Sequence, residues 1–531
     1  MPTDCITYQS SGFFTPIITD YLNQKSELHP FFNRYPGVEN FAAQIQEKQQ
    51  QYPKAYREIL VERLNAQYQL VEASEKTKNN IAALGQSNTF TVTTGHQLNL
   101  FTGPLYFLYK IASAVNLAAK LQSEHPEHHF VPVYWMATED HDFEEINYFN
   151  VNGRKFRWNR QTSGAVGRLD TKGLDDVFEV FSKELGAGKN ADALRSLFDK
   201  AYLGHATLAQ ATRFLANELF GSTGLVIIDG DDSELKRLFS PYIKAELLEQ
   251  KAFAHVSETI QKLANLGYDI QVNPREINLF YLGDGLRERI IFEKDQYRVN
   301  NTSIGFSKEE ILLELDRHPE NFSPNVVMRP LYQEVILPNL CYIGGGGELA
   351  YWLELKSMFD AAGVAFPVLL LRNSVLVATQ KQADKADRLG LSWQDLFAKP
   401  SELAEIKTRE LSSFPIDLSA HKLALQHQFD ALFALAEQTD RSFSGAVKAQ
   451  YAKQTNGLEN LEKRLLKAQK RKHAEELARI AELQNAFFPN GGLQERQVNF
   501  AEFYASYGRV FIEQLLETLD PMGNRFDVLV L

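Results

Sequence analysis

Short apolar runs alternate with longer stretches of helical spacing over the first 380 or so residues. Thr89 to Thr94 is rich in β-branched residues and stops at Gly95, which predicts a buried strand. Leu105, Leu108, Ile111, Ala112, Val115 and Leu117–Ala119 then recur near the helical period, predicting a helix with one apolar face. Phe130–Ala137, Leu225–Ile228, Val335–Ile343 (interrupted by Pro338) and Phe366–Leu371 read as further strands. Apolar runs of strand length separated by helices predict an α/β fold with a doubly wound, mostly parallel sheet.

Two stretches break this pattern. Asn150 to Phe156 carries an Asn152-Gly153 turn between alternating segments, a hairpin signal. Residues 277–300 predict a second hairpin, turning at Gly283-Asp284-Gly285. Beyond about residue 380, Ala, Leu, Lys, Glu and Gln dominate. Leu425, Phe429, Leu432 and Ala436, then Leu458, Leu461, Leu465 and Ala468, keep coiled-coil seam intervals. They predict an antiparallel helical hairpin that breaks at Ser442–Gly445. Its apolar faces either pack on each other or are buried in a homodimer. Lys463, Arg464, Lys467, Lys470, Arg471 and Lys472 form a basic run on the second arm, either a solvated face or a phosphate contact. The expected domains are N-terminal helices with the first half of the core (1–149), a connecting insertion (150–220), the second half of the core with its hairpin (221–380), the coiled coil (381–490), and a segment returning to the core (491–531).

Composition narrows the function. Of 531 residues only Cys5 and Cys341 are cysteines, too few for a disulfide framework or a thiolate zinc site. A net charge of −11 argues against bulk nucleic-acid binding. No apolar run reaches bilayer length, and MPTDCITYQSS lacks the layout of a signal peptide, so a cytoplasmic protein without a membrane partner is expected.

The candidate chemistry sits at strand ends, where open α/β sheets bind ligands. Gly95, His96, Gln97 and Asn99, with Thr102 and Gly103, follow the first strand. Glu139, Asp140, His141 and Asp142 follow the second, and Asp229 to Asp232 the third. The run Gly344–Gly347 with Glu348 follows the fourth strand, and Arg372 to Ser374 the fifth. The acidic run can be a helix cap, or it can hold Mg²⁺ or a polar substrate. The glycines can be a tight turn or a set of N–H groups facing an anion, but no Gly-Lys-Ser/Thr follows them. Arg329 offers a guanidinium for a carboxylate or phosphate. His125, His128 and His129 lie in a polar turn and read as a surface loop.

TTGHQLNLFTGPLYFLYK, VPVYWMATEDHDFEEIN, SPNVVMRP, LPNLCYIGGGGELAYW and LQERQVNFAEFYASYG occur in that order. Together they resemble the bacillithiol biosynthesis cysteine-adding enzymes, the BshC family, over essentially the whole chain. The resemblance implies a Rossmann-type core with insertions, a dimerising C-terminal coiled coil, and a cysteine ligase that adds L-cysteine to glucosaminyl malate. It also implies ATP or ADP as a cofactor; a metal such as Mg²⁺ stays open, and no residue is assigned to one. Under this reading His96, Gln97, Asp140 and His141 are the catalytic candidates. Asn99, Thr102, Gly103, Glu139, Asp142, Arg329, Gln333, Glu348 and Tyr351 are the substrate-binding candidates, and Gly95, Gly345 and Gly346 the nucleotide-binding ones. This chain has His96 where the family commonly has Gln. A tRNA-type adenylating synthetase and a non-catalytic coiled-coil scaffold remain as alternatives.

Overall fold

Strands that are apolar on both sides have no face to give to water, so helices must cover both faces of their sheet. The computed structural model of the protein describes residues 6–531, which leaves Cys5 outside. In it, β1 (Thr89–His96), β2 (His129–Met136), β3 (Val226–Asp229), β4 (Asn339–Gly344) and β5 (Val368–Leu371) form one sheet. All neighbours are parallel, and the order is β3-β2-β1-β4-β5. Every position of β1 and β4 is buried. Phe90, Val92, Cys341, Ile343 and Leu370 share one core cluster with Leu117 and Leu121 of α1 (Tyr106–Glu124) and with Phe41 and Ile45.

The order reverses between β1 and β4. Thr94 lies beside Ile343, so the chain leaves both strands at the same level. Connections then diverge to opposite sides, and a crevice opens there.

Between β3 and β4 run α2 (Ser233–Glu249), an antiparallel insertion, and α3 (Arg329–Ile336). The insertion is larger than the expected hairpin. Leu279–Gly283, Leu286–Glu293 and Gln296–Val299 form a meander that Gly305–Phe306 and Phe322–Pro324 extend to five strands. Its second turn, at Lys294-Asp295, has positive φ of 52° and 61° without a glycine, so Asp295 is its one weak turn signal. The Asn152-Gly153 hairpin forms as expected, pairing Tyr148–Val151 with Arg154–Arg157.

The fourth strand is shorter than its apolar run. Val335 and Ile336 close α3, with Pro330 in its first turn, and the strand starts only after Pro338, at Asn339. Leu331 and Val335, like Tyr332 and Ile336, sit one helical turn apart, so a helix buried all round imitates a strand. After β4 comes the short helix α4 (Gly346–Trp352).

Contacts divide the described chain into two units, residues 377–493 and most of the remainder. In the smaller unit, α5 (Ser419–Ala436) and α6 (Arg441–Lys472) run antiparallel. Lys422 meets Glu462 at 2.7 Å, and Tyr451 packs on Phe429 and Phe433. The break falls at 437–440, not at Ser442–Gly445. Asp440 caps α6 by accepting from the Ser442 and Phe443 N–H groups, which places those residues in its first turn. Leu432 and Leu461 are exposed, and Phe433 and Tyr451 fill the seam instead. The segment after 493 returns to the larger unit, where Asn499 Nδ2 donates to the Phe101 and Gly103 carbonyls. Among the described residues no helix is long and apolar enough to cross a membrane.

Candidate active site

A cavity of about 870 Å³ lies at the reversal point, beyond the carboxyl ends of β1, β2 and β4. Of the sequence-predicted residues, Gly95, His96, Gln97, Glu139, Asp140, His141, Asp142, Arg329, Gly345, Glu348 and Tyr351 line it. Five others do not. Asn99, Thr102 and Gly103 build the turn after β1 that Asn499 ties down, and Asn99 Nδ2 donates to the Glu145 carbonyl. Gly103 has φ +63°, and a Cβ there would stand 2.6 Å from that of Asn99, so the turn needs glycine. Gln333 is fully buried, accepting from Arg329 and donating to Glu334. Gly346 faces Phe14 and Ile18.

The aspartates after β3 are also absent from the lining. Asp232 caps α2 and pairs with Arg63, Asp231 binds Arg168 and Lys236, and Asp229 accepts from Thr138. They fasten β3, an outer strand, to its surroundings. Of the three histidines expected in a surface loop, His129 instead opens β2 and bonds Asn80, while His125 and His128 pack on Phe130.

The floor is built on an ion pair between a buried lysine and a partly buried glutamate. Lys110, inside the apolar stretch of α1, reaches Glu348 at 2.5 Å and donates to the Gly95 carbonyl. Glu348 also accepts from Tyr342 Oη and from the Gly345 N–H. Burial opposes its ionisation, but the Lys110 ammonium and these donors hold the carboxyl at about 2. Beside the pair, burial and the same ammonium push His96 down to about 3, so its ring is neutral.

The rim joins β1 to β2. Gln97 Nε2 donates to Asp140 at 2.9 Å and to Glu145 at 3.0 Å. Asp140 Oδ1 accepts from the His141 N–H at 2.7 Å. Burial works against the Asp140 carboxylate, yet His141, Gln97 and Arg287 hold it well below the usual range. Asp142 goes the other way, raised by burial and by the Asp140 charge. The helix-cap reading fails, because Asp142 at the start of Phe143–Ile146 makes no side-chain cap bond. Glu139 turns inward to Lys236 at 2.7 Å, and burial raises its pKa.

A metal does not fit this rim. Asp140, His141 and Asp142 offer ligand atoms within 4.8 Å of one another. However, Arg287 Nη1 donates to His141 Nδ1 at 2.6 Å, so a guanidinium already occupies the donor that a cation would need. Two glycine backbone groups at this end of the sheet are already engaged. The Gly345 N–H is spent on Glu348, and the Gly95 carbonyl on Lys110.

Cations also line the cavity, and Arg287 among them reaches the rim at His141. Arg275, Arg287 and Arg289 come from the insertion, Arg329 from α3, Arg372 from the end of β5 and Arg496 from the C-terminal segment. The loop carrying Gln271 to Arg275 is pinned by buried carboxyls. Glu354 accepts from the Gln271 and Val272 N–H groups, and Glu246 from Asn278. Burial raises Glu354 to about 7. Lys110 and the insertion arginines were absent from the sequence candidates. One signal for Lys110 was available, a single charge in the otherwise apolar FLYKIASAV.

Residues 1–373 match the family model described as the N-terminal Rossmann-like domain of bacillithiol biosynthesis BshC, and residues 375–531 match its C-terminal coiled-coil domain. A relative from Flavobacterium johnsoniae is 60% identical over the whole of both chains. One from Christiangramia forsetii is 58% identical, covering 100% of this chain and 99% of its own. One from Bacillus cereus is 29% identical, covering 97% and 98%. Each is named "Putative cysteine ligase BshC".

Proposed function

Since this chain belongs to the bacillithiol biosynthesis BshC family, we propose that it is a carbon–nitrogen ligase joining the carboxyl group of L-cysteine to the amine of glucosaminyl malate. The observation that carries this reading is that one cavity is lined by both a cluster of arginines and an acidic rim. Arg275, Arg287, Arg289 and Arg329 suit the two malate carboxylates, which a guanidinium grips in a fork. The Asp140–Asp142 rim suits the amine. Asp142, with its raised pKa and partial exposure, takes the proton that the amine loses. Asp140, locked as a carboxylate by Gln97, orients the amine.

An amide does not form from a free carboxylate at a useful rate, so cysteine arrives activated, as an acyl adenylate or acyl phosphate made from ATP. In the joining step the amine nitrogen bonds to the acyl carbon, the acyl–phosphate oxygen bond breaks, and the phosphate leaves with the electron pair. Phosphate charge would fall on the arginines of the cavity. The proposal includes a cytoplasmic homodimer through the coiled coil, where Leu423, Leu432, Leu435 and Leu461 are exposed.

Titration calorimetry with glucosaminyl malate tests the site. The Arg287→Ala/Arg289→Ala variant binds at least about tenfold more weakly than the wild type, the usual scale for losing a charge-assisted pair. Equal affinity would remove the malate carboxylates from this cluster.

A further inference from the structure

Four buried polar atoms of the cavity lining have no hydrogen-bond partner, Glu139 Oε1, Arg287 Nε, His96 Nε2 and Arg372 Nε. Glu139 Oε1 still meets the Lys236 ammonium at 2.7 Å, and Arg287 lies among the acids of the rim, so the two that stand apart are His96 Nε2 and Arg372 Nε. Their residues are only 7% and 4% exposed. Native interiors rarely leave such atoms unmatched. Both groups are held fixed. His96 Nδ1 lies 2.8 Å from the Gln97 carbonyl, which can only accept, so the ring proton is on Nδ1 and Nε2 is a bare acceptor. Arg372 Nη2 donates to Glu495 at 2.6 Å and Nη1 to the Asn373 carbonyl at 2.8 Å, leaving the Nε–H as a bare donor. Tyr106 links the two: the His96 ring centroid and Arg372 Cζ each lie 5.1 Å from the centre of its ring.

The complementary ligand accepts at one end and donates at the other. Its donor is neutral, because Lys110 and Arg372 both disfavour a second cation, and Glu348 already accepts from Lys110, Tyr342 and Gly345. His96 packs on Tyr106 and Phe107. A hydroxyl donating there would leave its own lone pairs unmatched against aromatic rings. A thiol, a weak donor on a small apolar body, would not.

We propose that His96 and Arg372 form the cysteine subsite, with Arg372 Nε–H binding an oxygen of the amino acid's carboxyl group and His96 Nε2 accepting the thiol S–H. This rests on the ligase reading and adds to it which atoms tell cysteine from serine. A neutral imidazole that accepts a hydrogen bond without taking the proton keeps sulfur as S–H, so the partner's amine, not a second sulfur, is the attacking group.

The test is titration calorimetry of the full chain with L-cysteine, L-serine and L-2-aminobutyrate, the last of cysteine's shape without the S–H. The wild type binds cysteine at least about fivefold more tightly than either analogue. His96→Phe brings the three within about twofold of one another, and His96→Gln, which keeps an acceptor, retains the preference. Arg372→Lys weakens all three together by about tenfold. A wild type that does not bind cysteine, or does not discriminate, overturns the proposal whether or not the variants fold. So does His96→Phe with the preference intact. Product formation is scored separately. Product with no role for His96 sinks the subsite and leaves the ligase reading standing. A His96-dependent preference with no product from any nucleotide donor sinks the ligase reading and leaves an amino-acid site.

Discussion

Lys110 shows how one residue sets the electrostatics of the cavity floor. It holds Glu348 ionised, helps keep His96 neutral and ties α1 to the end of β1. Lys110→Met leaves a partly buried carboxylate without its cation and lowers stability by about 1–3 kcal/mol, whereas Lys110→Met/Glu348→Gln recovers most of that loss. Chemical denaturation of the two variants checks this. Glu354 gives a pH signature. Its carboxyl ionises near 4.5 in the unfolded chain and near 7 when folded. The native state therefore holds the extra proton in that window, and its contribution to stability falls as pH rises through it. Glu354→Gln removes that part of the pH dependence, read as denaturation midpoints between pH 5 and 7.5. At this scale the sequence was legible where a polar residue directly follows a strand, as with His96, Gln97 and Asp140. It was not legible for arginines brought in by the insertion, because nothing local says which way that insertion folds back.

At the scale of elements, period and punctuation located the five core strands, and the misreadings have identifiable causes. α3 is buried on all sides, so its last turn joined the apolar run of β4. The Ser442–Gly445 stretch resembled a break but is the first turn of a capped helix. The Lys294-Asp295 turn lacks a glycine, and this yields a prediction. Asp295→Gly relieves a positive φ of 61° and raises stability by about 0.5–1 kcal/mol, visible as a higher Tm. In the hairpin, Tyr451 packs against both Phe429 and Phe433. Tyr451→Ala costs about 2 kcal/mol or more of local stability, and hydrogen exchange across α5 and α6 rises while the core sheet keeps its protection.

For the whole molecule, the parallel sheet order explains why polar clusters from distant stretches converge. β1 and β4 are separated by more than 200 residues, yet they leave the sheet side by side. The acidic net charge describes the outer surface and hides an arginine cluster collected from the insertion, α3, β5 and the C-terminal segment. Summed composition could not show it. The most direct test of the central claim, that this cavity joins cysteine to an amino-sugar malate, is mass detection of the product thiol. Purified full-length protein is supplied with L-cysteine, glucosaminyl malate and ATP. The wild type forms product, and Asp140→Asn and Arg287→Ala each lower the rate by about a hundredfold or more, the scale of losing a positioned charged group. Product formed at wild-type rates by both variants would contradict the central claim.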